Sequence, residues 1–343
     1  MGLQAQRAPG LEQQLAHRIH RLLQFGLAVL LASCSPPEQP SNDLVFVSNE
    51  GTNEVTIIDG ATGKVEGALR TGARPRGMAF SPNHRMLYVA ASDANRVEAW
   101  DIASRRLTRI LHSGPDPERF VISPDGKTLY IANEDDSLIS FLDLATDKVT
   151  HQVKVGAEPE GIGVSPDGKL VVATAETTST AHFVDALTGE LLDSIPVGSR
   201  PRYVLFLDGG RTVWVSSEQR GTITVFDAAT RNVLRTIDLV DQVETDKPVQ
   251  TVEMEASRDG KRVFVAMGRT NMVAEVDPQT GKVVRTFPTG ERTWSVALSP
   301  DGRRAYAVAG ISGTLTIIDL EGNKVRQTVK LPGRPWGAVA VSR

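Results

Sequence analysis

Seven alternating apolar segments, each closed by an aspartate, recur along this chain. They read VTIID to Asp59, VEAWD to Asp101, ISFLD to Asp143, AHFVD to Asp185, ITVFD to Asp227, VAEVD to Asp277 and LTIID to Asp319. The interval is 42 residues in every step except one of 50. A second landmark keeps the same phase. It is Ser-Pro at Ser81, and Ser-Pro-Asp-Gly starting at Ser123, Ser165 and Ser299, with weaker copies at Asp208-Gly209 and Ser257-Arg258-Asp259-Gly260. Self-similarity at this period marks a ring or an array of one small unit.

Each unit divides into four short β-branched, apolar runs separated by turn residues. In one copy these are Arg119 to Ser123, Thr128 to Ala132, Ile139 to Asp143 and Val149 to Val155. Four strands in about 42 residues predict one blade of an all-β, seven-bladed β-propeller. The chain enters at Leu44 with a strand of the second type and ends with one of the first type, Gly337 to Val341. The two ends are therefore expected to share one blade as a Velcro closure, which leaves no free sheet edge. Aromatic residues make up only 5% of the chain against 40% hydrophobic, so small aliphatic side chains must fill most of the core.

The repeated aspartates look catalytic but repeat too regularly for that. Thr62, Thr146, Thr188, Thr230 and Thr280 follow three residues later, which is the pattern of a hydrogen-bonded turn after a strand. Asp125, Asp167 and Asp301 have the same turn-forming role. His84, His112, His151 and His182 fall at unrelated phases of the repeat, so no histidine metal site is expected. GxSxG, P-loop and HExxH patterns are absent.

Residues 1–33 read differently. Arg18 and Arg21 precede an apolar run from Leu22 to Ala32, too short to span a bilayer but long enough for the h-region of a signal peptide. It ends at Leu31-Ala32-Ser33-Cys34, and Cys34 is the only cysteine. The tetrapeptide resembles a bacterial lipobox, which implies lipidation of Cys34 and cleavage before it. Residues 34–43 are polar and Pro-rich and read as a tether; 44–343 are the propeller. In such lipoproteins Ser35, in place of Asp, implies sorting to the outer membrane. Removing residues 1–33 takes away Arg7, Arg18, Arg21 and Glu12 and moves the net charge from −3 to −5. With export, this disfavours nucleic acid as a partner. No CxxCH haem attachment is present.

The second strands LVFVSN, MLYVAA, TLYIAN, TVWVSS and RVFVAM, with the SPDG and D-x-x-T-G-K turns, resemble the YVTN-type β-propeller repeat family. More closely, the chain resembles the β-propeller proteins associated with PQQ-dependent catabolism. That resemblance implies an exported protein working beside a quinoprotein alcohol dehydrogenase or an ABC transporter component. It covers the whole mature chain, but its motifs are turns and so specify fold rather than activity.

Function is expected where the blades differ. The loops leading into the first strands carry Arg74 and Arg76, Glu118, Glu158 and Glu160, Arg200 and Arg202, Arg292 and Trp294, and Arg334 and Trp336. The loops between second and third strands add Glu50, Glu134, Glu176 and Glu218 at one phase. Two readings stay open. The charges neutralise one another, or the Arg/Trp arc forms a polar funnel for a planar carboxylate ligand such as PQQ or for a partner's acidic loop. The primary expectation is a monomeric, lipid-anchored binding or scaffold protein with no resident cofactor or metal. The alternative is a lactonase or other hydrolase using Glu118, Glu158 and Glu160. The eight extra residues near Val240 to Pro248 are expected on the funnel face.

The anchor is separately testable. Cys34→Ala is expected to release the protein from membranes and abolish lipid labelling; full membrane retention refutes the lipobox reading.

Overall fold

The computed structural model describes Gly2 and residues 42–343. The signal segment and the proposed lipidation site Cys34 lie outside the described residues. Twenty-eight strands form seven antiparallel four-stranded sheets, one per repeat unit. The chain is a seven-bladed β-propeller. The first sheet is ordered Pro335–Ser342, Asp43–Asn49, Glu54–Asp59, Val65–Arg70. Its register pairs Leu44 with Val341 and Val47 with Ala338. Strand structure begins at Asp43, one residue before the expected boundary, because this carboxylate is already inside. Asp43 is buried and accepts a 3.2 Å hydrogen bond from the Tyr306 hydroxyl of the neighbouring blade.

The repeated turns explain the sequence landmarks. Asp143 Oδ1 accepts hydrogen bonds from the Thr146 N–H and hydroxyl, both at 2.7 Å. The same geometry holds at Asp59, Asp185 and Asp227, while Ser104 replaces Thr at Asp101. In the SPDG turn the Ser123 hydroxyl donates to Asp125 at 2.6 Å, and Asp125 accepts the Lys127 N–H. Gly126 there has φ 72°, a conformation that a side chain would strain.

Seven apolar clusters hold the ring, one between each pair of neighbouring blades. Phe46, Leu87, Trp100 and Val341 join the first and second blades. Phe183 meets Phe226 edge-to-face at 5.3 Å between the fourth and fifth. Most of the remaining contacts are Val, Ile, Leu and Ala, as the low aromatic content requires.

The insertion is pinned to the side of the sixth blade. Gln242 donates to the Gly281 carbonyl and accepts the Val283 N–H. Only its end, Lys247 and Pro248, reaches a shallow groove that shares Arg292 and Ile311 with the funnel. The expected placement on the funnel face therefore holds for that end alone.

Deleting residues 334–343 removes the strand that pairs with Asp43–Asn49. The truncated chain is expected to lose the elution peak of the intact protein in size-exclusion chromatography and to aggregate through the exposed edge. A monomer of normal thermal stability would show that closure is dispensable.

Candidate functional site

The funnel mouth is built by one repeated backbone device. Arg74, Asp116, Glu158, Arg200 and Arg292 all adopt left-handed φ, between 39° and 60°, immediately before a first strand. In three of these loops an asparagine of the preceding blade fixes the turn. Asn53, Asn95 and Asn271 Oδ1 accept the N–H of Arg74, Asp116 and Arg292 at 2.9–3.0 Å. The carbonyls of these entry loops then accept from the next loop. Asp116 receives the N–H of Glu134, Glu158 that of Glu176, Arg200 that of Glu218, and Arg334 that of Glu50. This latch places a glutamate beside the entry loop of its own blade.

Two ion-pair clusters result. In the first, Glu118 is completely buried and is gripped by Arg74 and Arg76. Arg74 also reaches Asp93 at 2.9 Å and Asp116 at 3.3 Å, and Arg76 reaches Glu50 at 3.3 Å. In the second, buried Arg202 pairs with Glu160, and with Glu176 and Glu218 at 2.7 Å each. Arg200 pairs with Glu176, and Arg292 stands 3.7 Å from Glu218. Charges this deeply buried persist only when paired.

A cavity of about 620 Å³ opens above these clusters. Nine expected residues line it: Arg74, Arg76, Glu160, Arg200, Arg202, Arg292, Trp294, Arg334 and Trp336. Two do not. Glu118 lies beneath the lining, enclosed by its arginines, and Glu158 is exposed, where the Thr177 hydroxyl donates to it at 2.5 Å. The sequence did not rank Glu134 and Glu176 among the site residues, although their common phase flagged them; both line the cavity.

The tryptophans are engaged by the chain's own arginines. Trp336 is 3% exposed, with Arg76 at 5.6 Å and Arg119 at 4.8 Å from its ring. Trp294 has Arg292 at 4.6 Å and Arg202 at 5.1 Å. An open aromatic face at Trp336, expected for stacking a planar ligand, is therefore replaced by internal cation–π packing. The guanidiniums remain as the ligand-facing groups. Arg334 is exposed, and its guanidinium has no ion pair or hydrogen bond among the described residues.

Two funnel carboxyls titrate near neutrality. Burial, a hydrogen bond with Glu118 and repulsion from it push Glu134 up to about 8. Burial pushes Glu176 up to about 7, against the opposing pull of Arg200. Burial also acts on Glu118, but Arg76 and Arg74 outweigh it and hold that carboxyl below the usual range. The ligand atoms of Asp116, Glu118 and Glu134 lie within 4.8 Å of one another, a spacing a metal ion would accept. Arg74 and Arg76 already supply the neutralising charge there.

Glu134 binds its proton more tightly in the folded chain than in the unfolded one, where its ordinary value of 4.5 applies. The unfolded state therefore holds fewer protons between 4.5 and about 8. Its contribution to stability is full below that window and is lost as pH rises through it. Glu134→Gln is expected to flatten the fall in urea-unfolding stability across this range. An unchanged pH slope refutes the assignment.

Residues 135–341 match a family model described as outer membrane protein assembly factor BamB, and residues 36–194 match one described as lactonase, 7-bladed beta-propeller. No curated protein matches the chain. Among solved structures, the periplasmic gluconolactonase of Pseudomonas aeruginosa superposes with a TM-score of 0.73 at 23% identity, over 87% of this chain and 99% of that one. Hydrazine synthase of Kuenenia stuttgartiensis gives 0.72 at 23% identity, over 84% and 98%. A putative 6-phosphogluconolactonase of Bacteroides fragilis gives 0.72 at 18%, over 89% and 99%. At these identities the likeness is one of fold. The first match spans more than half of the sequence, so the chain belongs to the β-propeller family described as outer membrane protein assembly factor BamB.

Proposed function

We propose that this protein is an exported, lipid-anchored binding propeller whose funnel holds a small carboxylate-bearing molecule. The observation that carries this reading is Arg334. Its neighbours Arg74, Arg76, Arg200 and Arg202 are committed to glutamates, while Arg334 presents an uncompensated guanidinium at the edge of a 620 Å³ cavity. Arg292 adds a second donor, held from Glu218 at 3.7 Å. A guanidinium presents paired N–H donors to a carboxylate. PQQ carries such groups, and a periplasmic alcohol-oxidation pathway gives the protein its setting. Its partners there are a quinoprotein dehydrogenase or a transporter component, with anchoring at the outer membrane through Cys34.

A second reading, lactone hydrolysis, is favoured by one observation. Glu134 and Glu176, at about 8 and about 7, are near the range in which a carboxyl donates or accepts a proton at neutral pH. Partial similarity to the lactonase model supports it. The candidates thereby move from Glu118 and Glu158 to Glu134 and Glu176, with Glu160 retained beside Glu176. Burial beneath two arginines takes Glu118 out of contact with a ligand and Glu158 lies outside the cavity, whereas Glu160 and Glu176 both line it and both pair with Arg202.

Titration of the mature protein with PQQ and with gluconate, followed by tryptophan fluorescence, tests the binding reading. Saturable quenching is expected, with affinity reduced by about tenfold in Arg334→Ala, a loss of ~1.4 kcal/mol. No saturable change with either ligand overturns it. Glucono-lactone turnover that disappears in Glu134→Gln and Glu176→Gln would instead establish the hydrolase.

A further inference from the structure

The central channel does not end at the funnel. Arg76 and Trp336 also line a second cavity, of about 230 Å³, and so partition the channel. Its walls reach Phe80 and Leu298, the residues just before the Ser81 and Ser299 turns at the far ends of the first strands. Arg119 braces the chamber. It crosses from the third blade to bond Glu253 of the sixth at 2.9 Å, and it packs over the rings of Tyr203 and Trp336, each at 4.8 Å.

The charges of this chamber do not balance. The groups that line it and carry or gain charge are Arg76, Arg119, Tyr203, Glu253 and Glu255. Arg76 is taken by Glu118 and Glu50, and Arg119 by Glu253, which also accepts the Ser295 hydroxyl. Glu255 lies two residues beyond Glu253, and both line this chamber. Its carboxyl has no hydrogen bond or ion pair among the described residues. The remaining surface is apolar, from Met78, Phe80, Leu298 and Val339. Burial and the neighbouring Glu253 push Glu255 up to about 8. Glu255 is half-buried, and an ionised carboxylate there faces the chamber without a counter-charge, which is costly in so confined a space.

We propose that this lower chamber binds a small primary ammonium compound, its charged nitrogen paired with Glu255 and its carbon chain packed on Phe80, Met78 and Leu298. At roughly 30 Å³ per water-sized group the space suits about seven non-hydrogen atoms. The ligand supplies the missing cation, and Tyr203 and Trp336 offer aromatic surface nearby. An alkylammonium keeps its own proton in this range, near the ordinary amine value of about 10.4. Binding therefore ionises Glu255 and releases one proton to solvent below its transition, and none above it. Affinity rises with pH up to about 8. This site is independent of the funnel reading.

Calorimetry of the full mature chain with butylammonium chloride, in two buffers of different ionisation heat, tests the proposal. Saturable binding is expected, with close to one proton released at pH values well below the Glu255 transition and none above it. Glu255→Gln should weaken binding by about tenfold or more and abolish the proton release, and 1-butanol should bind comparably weakly. Ala340→Leu, which fills the chamber without touching the charge, should also block binding, while Arg334→Ala leaves it intact. Circular dichroism confirms folding of each variant. Absence of saturable binding to the unmodified protein, equal binding by folded Glu255→Gln, or equal binding of butanol overturns the proposal.

Discussion

Everything in this molecule depends on closing seven similar wedges into one ring. The strand Pro335–Ser342 pairs with Asp43–Asn49, so one sheet takes one strand from the C-terminal part of the chain and three from the N-terminal part. That pairing completes the first blade, which supplies one wall of each of its two flanking apolar clusters. Each cluster needs the blades on both sides. A ring lacking one strand would leave an unsatisfied edge and two half-exposed cores. Strong hydrophobic contacts therefore sit between blades, and the turns are left to set the geometry.

Closure also creates the electrostatic problem that the funnel solves. It brings loop residues separated by scores of positions around one narrow axis. The charges on these loops lose solvent there and must find partners. Arg74 and Arg76 converge on Glu118, and Glu160, Glu176 and Glu218 converge on Arg202. Burial shifts proton affinity toward neutral pH at Glu134, at Glu255, whose carboxyl has no counter-charge, and at Glu176 in spite of its arginine partners. Among the described residues that line the funnel cavity, Arg334 is a cation with no ion pair. These imbalances are where the ring has chemical capacity to spare.

Much of this was legible in the sequence. The seven aspartates and their Thr partners announced the turns, because a turn needs the same acceptor and donor in every copy. Nine of the eleven proposed funnel residues line the cavity, because a fixed repeat phase carries each of them to the same end of its blade. The failures have physical causes. Glu118 and Glu160 are both glutamates one position after a proline, yet only Glu160 lines the cavity, because Arg74 and Arg76 fold over Glu118. Trp336 reads as a free aromatic until Arg76 and Arg119 are seen against its ring. Neither fact is encoded in phase; both depend on side chains from other blades.

The sequence by itself determined the architecture, since a period of 42 residues with four apolar runs per unit leaves no other way to bury them. It also marked the face on which the blades differ. Only the tertiary structure decided which charges neutralise one another and which remain. Arg119 and Glu253 stand 134 residues apart and meet across the channel at 2.9 Å. The carboxyl of Glu255, two residues further along the chain, meets no partner among the described residues. The periodicity of a repeat fixes the direction in which each side chain points. Whether a counter-charge waits there is settled by the blade across the ring, and that is a property of closure alone.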